Sequence, residues 1–92
     1  MPKEFNIELP TESQVIVELE AFLAQKKGPS SPLEAYRALA DNFSLSEVQR
    51  TSLMPNGKDI HWENRVRFAR RKLVDAGKLD PKSPRGQWAL KR

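Results

Sequence analysis

The chain has no cysteine and only one histidine among its 92 residues. Without cysteine there are no disulfide staples, no thiolate zinc sites and no thiol nucleophile, and this usage fits a reducing compartment. His61 is that histidine, and no hydrolase triad, phosphate loop or dinucleotide fingerprint is recognisable. No cofactor and no metal are therefore expected. Long apolar runs are missing too: none approaches the roughly 18 residues that read as a membrane span. The Met-Pro-Lys-Glu start lacks the apolar core of a signal peptide. A soluble, cytoplasmic protein with no membrane contact is the expectation. Repeats and low-complexity stretches are also absent.

Hydrophobic residues make up 38% of the chain and charged residues 30%, enough for one core but not for two. Residues 1–10 read as an extended N-terminal segment and residues 11–92 as a single domain. Thr11-Glu12-Ser13-Gln14 has the spacing of a capping box. It opens a helix that runs to about Lys27, with Val15, Leu19, Phe22 and Leu23 on one face and Ile16 beside them, before Gly28-Pro29 stops it. Ser31-Pro32-Leu33-Glu34 caps a second helix that reaches about Asn42 and buries Leu33, Tyr36, Leu39 and Ala40. Ser44-Leu45-Ser46-Glu47 starts a short third helix with Leu45 and Val48 inward, ended by the turn Met54-Pro55-Asn56-Gly57.

The last helix has the clearest pattern. Trp62, Val66, Ala69, Leu73 and Ala76 step by alternating fours and threes, so they share one stripe. Asp59 reads as its cap and Gly77 as its left-handed stop. Leu79 and Gln87-Trp88-Ala89-Leu90 then read as two short strands joined by the loop from Asp80 to Gly86. The fold class expected is mainly α with a small β-hairpin, a winged helix-turn-helix.

Charge is divided along the chain. Residues 1–57 carry five basic and eight acidic side chains, whereas residues 58–92 carry eleven basic and four acidic ones. Such asymmetry attracts a polyanion to one surface, although a merely solvated charged face would look the same. A helix with an exposed basic face fits the major groove, and a basic hairpin tip fits the neighbouring backbone or minor groove. The candidate DNA-binding residues are Lys58, His61, Asn64, Arg67, Phe68, Arg71, Lys78, Lys82 and Arg85. Arg67 and Arg71 lead, because the core stripe gives no reason for two arginines opposite Trp62 and Leu73. His61 otherwise reads as a solvent-exposed first-turn residue. Arg65 serves equally well as a structural ion-pair partner or a DNA contact. Phe68, placed between the core stripe and the basic face, either covers the hydrophobic rim or touches the methyl group of a thymine or modified base. Arg85 beside Gly86 would add affinity more than sequence preference. Trp62, Trp88 and Phe22 read as core.

Several segments together resemble a known family. They are Leu53-Met54-Pro55-Asn56-Gly57-Lys58, Glu63-Asn64-Arg65-Val66, Phe68-Ala69, Leu73, Ala76-Gly77, Leu79 and Arg85-Gly86-Gln87-Trp88-Ala89-Leu90. Over roughly residues 11–91 the chain resembles the N-terminal winged-helix domain of Mrr-type restriction endonucleases. Phe68 stands where that pattern usually has tryptophan, and Lys78 interrupts its more typical Gly-Leu-Leu. The resemblance implies a DNA-recognition module for double-stranded DNA, methylated DNA included, working with a nuclease domain in the same or an associated chain.

The chain itself reads as no enzyme. A nuclease of that type gathers carboxylates and a lysine around a metal ion. Only Asp80-Pro81-Lys82 has that look here, and its proline is unsuited to a central strand. Two other readings compete. A free-standing transcription regulator would normally add a dimerisation helix, and none is visible after Leu90. A protein-docking module would use the acidic first helix, with Glu12, Glu18 and Glu20. Self-association is left open.

Overall fold

The computed structural model describes residues 8–26, 29–80 and 87–90. It is mainly helical, with α1 at Glu12–Lys26, α2 at Pro32–Asn42, α3 at Glu47–Thr51 and α4 at His61–Asp75. Each start has a local cause. Thr11 and Gln14 satisfy one another's backbone N–H groups before α1, at 2.9 and 3.2 Å. Ser31 Oγ accepts from the Glu34 N–H, and Pro32 takes the first helical position of α2. Ser46 and Gln49 form a reciprocal capping box at α3, so the cap is Ser46 and not the expected Ser44, whose φ of 54° turns the chain before the helix.

The core is where α1 and α4 pack together, with α2 closing it. Val15, Leu19 and Leu23 of α1 meet Trp62, Val66, Ala69 and Leu73 of α4, joined by Ala35, Leu39, Ala40, Leu45, Leu79 and Trp88. Phe22, Tyr36 and Ile16 pack against this cluster half-buried. Two edge-on aromatic pairs tie it together, Tyr36 with Trp88 at 6.0 Å and Phe43 with Trp62 at 6.1 Å. The Trp62 indole N–H donates to the Tyr36 carbonyl at 3.0 Å, so the largest core side chain leaves no orphaned donor.

After α4 the chain turns on Gly77, whose φ of +77° is the left-handed conformation glycine accepts without strain. Gly77 N–H bonds the Val74 carbonyl and Lys78 N–H the Leu73 carbonyl, which closes the helix as a Schellman motif. Leu79 then pairs antiparallel with Leu90, and Trp88 pairs antiparallel with Ser30 through two hydrogen bonds of 2.7 and 2.9 Å. Among the described residues these are isolated bridges rather than strands. The loop expected to join them, residues 81–86, lies outside the described residues.

Four further expectations are corrected. Leu33 is 50% exposed, because it lines an open groove between α2, α3 and α4 instead of the core; Ala35 takes the inward position. Val48 is 58% exposed, since five-residue α3 reaches the core through Leu45, the residue before its cap. Ala76 is exposed because it is the C-cap, where the chain leaves the helical stripe. Asp59 does not cap α4. Ile60 does, without a side-chain hydrogen bond, while the Asp59 carboxylate accepts from the Asn56 amide at 3.0 Å.

Candidate nucleic-acid interface

The repeat of α4 divides its residues into two opposed arcs. At about 100° per residue, Trp62, Val66, Ala69 and Leu73 share one arc and are buried. Asn64 and Arg71 fall directly opposite, with Arg67 and Phe68 about 50° to either side and Lys72 beyond Phe68. These five, together with Asp75, line one open groove on the surface. The spacing puts Asn64, Arg67 and Arg71 on this face; Phe68, expected between the core stripe and the basic face, lines the same groove. The sequence reading missed Lys72, whose signal was present: it stands four residues after Phe68, and its ammonium lies 5.2 Å from the centre of that ring.

Arg67 is held from two sides. Its guanidinium donates to the Tyr36 hydroxyl at 3.3 Å and lies 3.8 Å from the Glu63 carboxylate. Both contacts are near solvent, so a phosphate can replace the carboxylate at small cost. Tyr36 thus extends the site onto α2, a link between residues 31 positions apart that no local pattern reveals. Arg71 and Lys72 are exposed, and the groove carries three cations against Asp75 and, beside Arg67, Glu63.

Other candidates fall elsewhere. Lys58 is exposed in the turn before α4, where Asn56 Oδ1 accepts from its backbone N–H at 2.8 Å. His61 begins the helix and is half-buried rather than fully exposed, its N–H donating to the Ser52 carbonyl at 2.9 Å. Lys78 is not on the groove. Its ammonium lies 3.5 Å from Glu20 of α1, because the Schellman turn swings it away from the exposed arc. Lys82 and Arg85 lie outside the described residues. Arg65 has a structural task, donating to the Pro10 carbonyl at 2.8 Å and fastening the segment before α1. Arg70 lies 5.9 Å from the Trp88 ring centre, a cation–π contact between α4 and the C-terminal bridge.

Among the described residues no three His, Cys, Asp or Glu side chains come together to hold a metal ion. Nor is any described helix long and apolar enough to cross a membrane. Residues 15–92 match the family model described as the Mrr N-terminal domain. The chain belongs to the Mrr N-terminal domain family. Neither a curated protein nor a solved structure matched it. In this Mrr N-terminal domain, the matched segment contains α4 and both bridges of the C-terminal segment, so the family region and the basic groove coincide.

Proposed function

We propose that this Mrr N-terminal domain is a duplex-DNA-binding module that lays α4 in the major groove. The observation that carries the reading is the division of α4 into a buried apolar arc and an opposite arc lined by Asn64, Arg67, Arg71 and Lys72. A helix fits the roughly 12 Å major groove. Cations on its flanks then meet phosphates while the central residues face base edges. The pairing of Leu79 with Leu90 directly after α4 supports a wing beside that helix, and with it a winged helix-turn-helix. The role that follows is target recognition in an Mrr-like restriction system, on methylated or unmethylated duplexes, with cutting left to a nuclease domain in the same or an associated chain.

Titration of labelled duplex DNA with Arg67→Glu and Arg71→Glu, beside thermal melts, tests this. Reversal on the exposed arc removes no buried contact, so stability should change by only about 0.5 kcal/mol. Affinity should fall at least about tenfold, as attraction to phosphate becomes repulsion. Two variants that melt and bind like the wild type would remove α4 from the DNA surface and favour a protein-docking role.

A further inference from the structure

The groove on α4 contains one apolar side chain, which phosphate recognition does not use. Phe68 is 41% exposed, and it lines the groove between the mid-line set by Asn64 and Arg71 and the flanking Lys72. Single exposed apolar residues are ordinary on protein surfaces, so exposure alone has no functional meaning. Position gives it one. Phe68 lies beside the mid-line residues Asn64 and Arg71, the Lys72 ammonium rests over its ring, and Arg67 is its chain neighbour. An aromatic ring set among cations away from the core contributes little to folding, yet it borders the surface that a docked helix turns toward base edges.

Phenylalanine can neither donate nor accept a hydrogen bond there. The floor of the major groove offers one apolar feature, the methyl group on C5 of a pyrimidine. Resting on the DNA-binding reading above, we propose that Phe68 is a specificity-determining residue that packs against a pyrimidine C5-methyl group, with Lys72 holding the ring toward the base. Thymine and 5-methylcytosine present the same methyl at the same place, so the contact distinguishes methylated from unmethylated pyrimidines.

The test begins with a random-sequence duplex pool in which 5-methylcytosine replaces cytosine. The tightest-binding duplex is resynthesised with uracil for every thymine, with cytosine for every 5-methylcytosine, and with both replacements. At least one single replacement should weaken wild-type binding by about fourfold, the worth of one methyl-sized apolar contact. Whichever replacement acts identifies the base. Phe68→Ala should bind all four duplexes alike, at the level of the demethylated one, and Phe68→Leu should retain part of the preference. Because Phe68 is not in the core, both variants should melt near the wild type. Equal wild-type affinity for all four duplexes would overturn the proposal, as would a preference that survives Phe68→Ala. Failure of the DNA-binding reading looks different: no duplex would bind in a salt-sensitive way.

Discussion

Leu73 and Arg71 stand two residues apart on α4, and the contrast between them sets the buried arc that folds the domain against the exposed arc proposed to meet DNA. The Leu73 side chain is almost fully buried between α1 and α4, and its carbonyl also accepts from Lys78 and Leu79 as the helix closes. Leu73→Ala leaves a cavity and should cost about 2 to 5 kcal/mol in urea melts. A domain of this size has roughly 5 to 15 kcal/mol in total. The folded fraction should still bind DNA with unchanged affinity; a weakened folded fraction would mean that the two arcs are coupled. Glu34 gives a pH-dependent prediction. The Lys26 ammonium, hydrogen-bonded to its carboxylate, holds the Glu34 carboxyl below its ordinary value, and the Ser30 and Ser31 contacts act in the same direction. A carboxyl with a depressed folded pKa stabilises the fold above its unfolded pKa, and that stability is lost as pH falls through the folded value. The melting curves of wild type and Glu34→Gln should therefore separate above the ordinary glutamate range and converge in acid below it. Added salt should narrow the gap, since the pair is exposed.

At the scale of elements, the ends of the helices show what a sequence can and cannot reveal. Gly77 was legible because a glycine after a long apolar stripe has one common use, and its φ is indeed positive. Gly77→Ala meets no atom within contact distance, so its cost is conformational, about 1 to 2 kcal/mol by thermal melt. A change near zero would mean that the turn relaxes. The start of α3 was harder to read. Ser44-x-x-Glu47 and Ser46-x-x-Gln49 are both capping spacings, and local sequence cannot rank them. The structure chooses Ser46 because Ser44, at φ 54°, is occupied in turning the chain so that Leu45 drops into the core. Ser46→Ala should cost about 1 kcal/mol and Ser44→Ala should not. The apolar stripe of α4 was legible from spacing alone, and with it the basic face opposite. Unreadable were the contacts that join distant segments: Tyr36 with Arg67, Arg70 with Trp88 and Arg65 with Pro10. Each is an arginine whose sequence neighbours say only that it is charged. The pairing of Ser30 with Trp88 was hidden for the same reason, since a buried serine beside a proline carries no strand signal.

For the whole molecule, the division of charge along the chain becomes a division in space only in part. Lys78 is drawn to Glu20 of α1, so the basic excess of the C-terminal half is trimmed there, while Arg50 and Asp41 pair within the acidic half. What stays exposed is concentrated on α4, at Arg67, Arg71 and Lys72, with Lys58 in the turn before it. A phosphate backbone docked along that helix can engage those four, and the basic residues of the C-terminal segment can add one or two. Each phosphate neutralised by a lysine or arginine releases condensed counterion. With about four to six such contacts, the log–log slope of affinity against salt should lie near −4 to −5. Fluorescence titrations at several salt concentrations measure it directly. Removing Lys72 or Arg71 singly should make the slope shallower by about 1, whereas Lys78→Ala should leave it almost unchanged, because its ammonium already faces Glu20. A wild-type slope near zero would show that the basic face does not meet phosphate. If Lys78→Ala gave the full loss of one contact, the Glu20 pair would have to open on binding, and the surface engaged by DNA would extend from α4 to the middle of α1.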